Sequence, residues 1–177
     1  HPEKVLGCTG EFVKKYPNTS RAVIMAVLEA SRWIDANLSN KNKMAETIAE
    51  KSYVNTGVDA INQRILGRYQ NGLGKTWDDP NYMKFFNDGA VTFPYLSDGM
   101  WFLTQHKRWG LLKEHPDYLA VARQINQVEL YKQAAGAMKI SLPKDTLRSS
   151  KLIDGVVWDG KEPAKYADSF KVRTSAA

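Results

Sequence analysis

The sequence has little of what would staple a small scaffold or hold a metal. One cysteine in 177 residues cannot make an internal disulfide. None is needed at this length, because folding buries roughly 70% of the surface that the unfolded chain exposes. A lone cysteine is compatible with the cytosol and with an oxidising compartment. The three histidines, His1, His106 and His115, have no ligand spacing among themselves or with Cys8, so no metal and no cofactor is expected. No run approaches about 18 consecutive apolar residues, so no segment reads as a membrane span. Repeats and low-complexity tracts are absent. Acidic residues are the minority, 19 against 25 Lys and Arg, for a net charge of +6. That balance favours anionic partners. The basic runs Lys14-Lys15, Lys41-Asn42-Lys43 and His106-Lys107-Arg108 are short and lack the interleaved aromatics of a base-stacking surface. A basic helical nucleic-acid-binding module rests on charge alone, and no nucleic-acid partner is expected.

What is present is helical periodicity, broken by Gly, Pro, Asn and Asp, and the chain reads as a single, mainly α domain over 1–177. Residues 9–16 predict a short helix stopped by Pro17. Asn18 is the expected N-cap of the next, in which Val23, Val27, Ala30 and Ile34 form an apolar stripe widened by Ile24 and Leu28. Helices are expected at about 41–51 and at 57–66, the second ended by Gly67. Residues 67–80 read as an irregular loop and 81–86 as one or two helical turns. Pro94 argues against a central strand in VTFPY. Further helices are expected from Ser97 or Asp98 to Trp109, with Gly110 as the cap, at 117–125 and at 127–138. Asp154-Gly155 between Leu152-Ile153 and Val156-Val157-Trp158 signals a tight hairpin. Pro163 opens a last helix reaching Phe170, and the end of the chain, 173–177, is expected to fray.

Several motifs invite a functional reading and resist it. GLGKT at 72–76 resembles the end of a phosphate-cradling loop, but Tyr69 stands where the first glycine belongs and no strand precedes it. Ser97-Asp98 is better placed to cap a helix than to form half of a hydrolase dyad. The aromatics Phe93, Tyr95, Trp101, Phe102 and Trp109 read as core. Val5-Leu6-Gly7-Cys8 has the order of a lipoprotein cleavage box. The seven residues before Cys8 include His1, Pro2, Glu3 and Lys4, unlike the apolar run a signal segment needs. Cys8 is therefore expected to be a buried, inert thiol on an extended segment, any anchoring cysteine lying upstream.

Five strings carry a more specific signal: HPEKVLGCTGEFVKKYPNT, AVLEASRWID, YLSDGMWFLTQHKRWG, QINQVELYKQAA and LIDGVVWDG. In this order they resemble the carboxy-terminal part of the nitrate-binding and bicarbonate-binding proteins of cyanobacterial ABC transporters, from His1 to about Val172. The resemblance is closer to the nitrate side, because bicarbonate-binding relatives carry a second acidic residue where this chain has Lys4. It implies the carboxy-terminal helical part of a two-lobed α/β fold of the periplasmic-binding-protein type, which closes on a small oxyanion and delivers it to a membrane permease driven by an ATPase subunit. Residues 1–8 would be a crossing strand near the cleft and 9–172 the helices that wrap one lobe. The protein would be a non-enzymatic receptor on the periplasmic side of the inner membrane, lipid-anchored in its full-length form. Similar domains fused to the ATPase subunit give an alternative, a cytoplasmic solute-sensing module; bicarbonate binding is another. The ligand contact that the resemblance implies is Lys4, whose ammonium offers charge and three donors to a planar anion. Glu3 is its neighbour, at the position tied to ligand and metal in bicarbonate-binding relatives. Adjacent strand residues face opposite ways, so only one of the two would face the cleft.

Overall fold

A computed structural model describes residues 4–170. Residues 4–9 are irregular and exposed, and within the described chain no strand pairs with them. The expected opening strand lies partly outside the described residues, at 1–3, and its described part joins no ladder. Cys8 is exposed, not buried, because no element packs over this segment. Glu3, His1 and the expected fraying end at 173–177 also fall outside the described residues.

The helices start and stop for local reasons. Thr9 Oγ1 accepts from the Phe12 amide at 3.2 Å and opens α1, Gly10–Lys15. Pro17 then occupies the first position of α2, Pro17–Ala36, where a missing N–H and a fixed φ cost nothing. The expected cap, Asn18, therefore sits inside the helix. Asn37 Oδ1 accepts from the Asn40 amide at 2.8 Å and starts α3, Leu38–Ala49, three residues before the expected position. The fourth helix, α4, is Val58–Leu66 and closes on Gly67 at φ +68°. A Cβ on Gly67 would lie 2.5 Å from the Asp79 carbonyl oxygen, so this turn needs glycine for space as well as for conformation.

Residues 67–80 are not an irregular loop. They contain a small antiparallel hairpin of β1, Arg68–Gln70, and β2, Thr76–Asp78, with Tyr69 and Trp77 paired across it and their rings stacked at 5.5 Å. The stretch expected to give helical turns at 81–86 is irregular and leads into a single 3-10 turn, Asn87–Gly89. After it come α5, Leu96–Arg108; α6, Tyr118–Ile125; and α7, Val128–Ala137. Asp117 caps α6 by accepting from the Ala120 amide at 3.0 Å. The expected hairpin forms as β3, Ser150–Lys151, against β4, Val157–Trp158, turning at Gly155 with φ +86°. The last helix, α8, is Pro163–Asp168.

The main core lies where α5 meets α6 and α8 and where α2 meets α7. Leu28, Phe93, Met100, Tyr131, Ala134 and Trp158 are among its buried members. A smaller cluster, Met44, Ala45 and Ile65, joins α3 to α4. The buried line on α2 is Ser20, Leu28 and Ser31, with Ile24 half-covered. Val23, Val27 and Ala30 of the expected stripe are exposed, because α7 and α3 pack on the adjoining face. Of the aromatic group expected in the core, Phe93 is buried and Tyr95 and Trp101 half-buried, while Phe102 and Trp109 face solvent.

Candidate functional site

Lys4 is exposed on the irregular opening segment. Its position in this chain is that of a side chain presented outward beside the amino-terminal helices, with Cys8 further along the same segment. The motifs set aside on sequence grounds also find structural employment. In the GLGKT stretch, Asn71 Oδ1 accepts from the amides of Leu73 and Lys75 at 2.9 and 3.2 Å, so two amides a phosphate would need are already bonded. His106 bonds through Nδ1 to the Phe102 carbonyl at 2.8 Å, one turn earlier on α5.

Ser97 and Asp98 do not cap α5. The N-cap of α5 is Tyr95, without a side-chain bond, and both residues are buried in the first turn. The Arg148 amide donates to Ser97 Oγ at 3.0 Å, and Arg148 Nε and Nη2 donate to the two Asp98 oxygens at 3.0 and 2.7 Å. The Trp158 indole N–H donates to the Ser97 carbonyl at 2.9 Å. Forked guanidinium geometry matches a carboxylate, and here it ties the β3–β4 region to α5. Fifty residues separate the partners in sequence, which is why local spacing suggested a cap.

Two polar constellations had no sequence signal. Asp35 Oδ2 accepts from three successive amides, Phe85, Phe86 and Asn87, at 3.0, 2.7 and 3.2 Å, bracing the irregular segment against α2. Its Oδ1 is buried without a protein partner beside a cavity of about 250 Å3 that Asn37, Lys41 and Tyr82 help to line. His115 joins Tyr118 OH through Nδ1 at 2.8 Å and Asp168 Oδ2 through Nε2 at 3.2 Å. A carboxylate can only accept, so Nε2 carries the proton and, in the neutral ring, Nδ1 accepts from the phenol. Burial, helped by the Asp168 charge, raises the Tyr118 pKa above its ordinary value, which keeps that phenol a donor. Among the described residues there is no group of three or more His, Cys, Asp or Glu that could hold a metal ion. No helix among the described residues is long and apolar enough to cross a membrane.

Thus the chain carries an outward cationic segment, a helical body held by internal polar ties, and no assembled catalytic constellation among the described residues. A model of the NMT1-like family matches residues 1–49. The nitrate/nitrite binding protein NrtA of Synechocystis sp. strain PCC 6803 is 33% identical over 185 aligned residues, covering 100% of this chain and 41% of that protein. The bicarbonate-binding protein CmpA of Synechococcus elongatus is 26% identical, covering 98% of this chain and 41% of its own length. The crystal structure of the periplasmic nitrate-binding protein NrtA from Synechocystis superposes with a TM-score of 0.88 at 30% identity, over 97% of this chain and 46% of that one. The chain is similar in sequence to the nitrate-binding proteins and shares the fold of part of one of them. It spans about two fifths of the length of these curated relatives.

Proposed function

We propose that this chain supplies the carboxy-terminal part of a nitrate-type solute receptor, a non-enzymatic component that presents a small oxyanion to the permease of an ABC importer. Such a receptor works in the periplasm, held at the membrane by a lipid on its full-length form. The observation that supports this reading is the end-to-end match in sequence and fold to a nitrate-binding protein, with the bicarbonate-binding relative more distant. Lys4 is its ligand contact and Glu3 the neighbouring wall. Nitrate is a weak base with delocalised charge, so a cationic donor gives more than a neutral one. A second carboxylate at the Lys4 position would repel nitrate and attract a cation instead, the chemistry that suits the bicarbonate-binding branch.

The test is a chimera in which this chain replaces the matching part of Synechocystis NrtA, titrated with nitrate and with bicarbonate by calorimetry. Nitrate is expected to bind, and Lys4→Ala to weaken it about tenfold or more, the scale of one lost charge-assisted bond. Unchanged nitrate affinity in Lys4→Ala removes Lys4 from the site. A folded chimera that takes bicarbonate in preference to nitrate overturns the ligand assignment.

A further inference from the structure

Among the described residues no element covers the outer face of α2, although its composition is largely that of an interior. At about 100° per residue, the buried line through Ser20, Ile24, Leu28 and Ser31 fills one side of the helix. The adjoining arc, about 140° wide on the same helical geometry, holds Ala22, Val23, Ala26, Val27, Ala30 and Trp33 with Thr19 as its one polar member, all exposed. Val23, Val27 and Trp33 keep 42%, 43% and 45% of their surface in water. No charged residue falls within that arc; Arg21 and Arg32 lie on the far side, and Glu29 lies just past its edge, about 20° from Ala22. A surface helix ordinarily shows one apolar stripe, and a helix apolar on two sides is one that is covered on two sides. Three alanines at every fourth position let another backbone approach closely. Beside this face, α1 has no buried residue, and its Phe12 pairs with Tyr16 at 5.2 Å. Val5 and Leu6 are also exposed. Exposed contiguous apolar area of this kind marks an interface.

We infer that this face, α1 with the Val23–Val27–Trp33 side of α2, packs against the part of the two-lobed fold that the nitrate-binding relatives carry outside the region matched here. The occupant follows from two observations. The matched relatives and the superposed structure are more than twice as long as the matched region, so their fold offers a further body to cover such a face. The family model covers residues 1–49, the stretch that carries this face. The helices α5–α8 lie beyond that stretch. The inference rests on the receptor reading above and adds to it the surface through which the two parts join.

Thiol accessibility tests it in the Cys8→Ser background, on the chain by itself and on the chimera with the remainder of Synechocystis NrtA. Val27→Cys is expected to react quickly with an aromatic disulfide reagent in the chain alone and roughly tenfold or more slowly in the chimera, as burial makes a thiol inert. Leu73→Cys, at the exposed turn between β1 and β2, is expected to react equally fast in both. A single cooperative melt in each protein establishes that it is folded. Equal rates for Val27→Cys in the two folded proteins overturn the inference. So does protection in the chain alone that grows with its concentration, which would make a second copy the occupant. Rates are read without nitrate, so a chimera that protects Val27 yet ignores nitrate overturns the ligand assignment alone. One that binds nitrate with Val27 still reactive overturns the interface alone.

Discussion

The first two helices and the last four belong to different kinds of surface. The opening helix α1 buries nothing and α2 buries Ser20, Leu28 and Ser31, whereas α5 buries Leu96, Ser97, Asp98, Met100 and Thr104 and α7 buries Val128, Tyr131, Ala134 and Ala135. The α5–α8 region also carries internal polar ties, with Arg148 on Asp98, Trp158 on Ser97 and His115 between Tyr118 and Asp168, although Arg108 Nε is buried without a hydrogen-bond partner. The lesson is that the later helices, together with the inner face of α2 that packs on α7, complete one core, while the first two helices also present apolar side chains in an arc free of charge. Stability should therefore reside mainly in the second region, and recognition in the first.

The largest contrast is between two tryptophans. Trp158→Ala removes a buried side chain that packs on Tyr166 at 4.7 Å and is expected to cost about 3–5 kcal/mol in urea unfolding. Trp33→Ala, on the uncovered arc, should stay within roughly 0.5 kcal/mol in this chain. Similar losses for the two would erase the distinction. Next comes Asp98→Ala, which strands Arg148. Breaking a fully buried pair costs about 3–5 kcal/mol, and the guanidinium is 30% exposed, so a loss of about 2 kcal/mol is expected after screening. The exposed Lys43–Glu46 pair is the comparison, where Lys43→Ala should shift the urea midpoint negligibly.

A smaller effect separates two glycines. Gly67→Ala forces both a left-handed alanine and a Cβ against the Asp79 carbonyl, and should lose more than the roughly 1–2 kcal/mol of the conformation alone. Gly110, at φ +78° with nothing near its Cβ, should lose only that conformational part. Smallest is an alkaline effect confined to the α5–α8 body. Burial raises the Tyr131 pKa above its ordinary value of 10.0, although the bond from Thr92 opposes the shift, and burial with Asp168 raises Tyr118. Groups that hold their protons more tightly when folded add stability that is whole below the unfolded pKa and is lost as pH rises through the folded one. Urea midpoints should thus hold to about pH 10 and fall above it, the fall being shallower in Tyr131→Phe.

The same division governs how much the sequence reveals. Features decided within a few residues were legible: a helix starting near Asp117, Gly67 and Gly110 with positive φ, the Asp154-Gly155 turn, Pro94 outside any strand, and the existence of most helices. Features decided by distant partners were not. Ser97 and Asp98 look like caps until Arg148 and Trp158 arrive from about 50 and 60 residues away. Asp35 shows nothing in its helix to predict that it receives three amides from 85–87. The two apolar arcs of α2 were visible together, but periodicity alone does not say which one the chain itself covers. Lys4 and Glu3 are proposed as ligand contacts through family resemblance and not through spacing, because an anion site assembled from two parts would leave only isolated residues in each.

Native-state amide hydrogen exchange on the chain by itself tests the two-region account most directly, because it reads local opening element by element. The slowest amides are expected in α5 and α7, near the limit set by global unfolding, and the fastest helical amides in α1, with α2 between them. Protection of α1 equal to that of α7 in a monomeric chain would contradict the account, since the amino-terminal region would then be finished without any further partner.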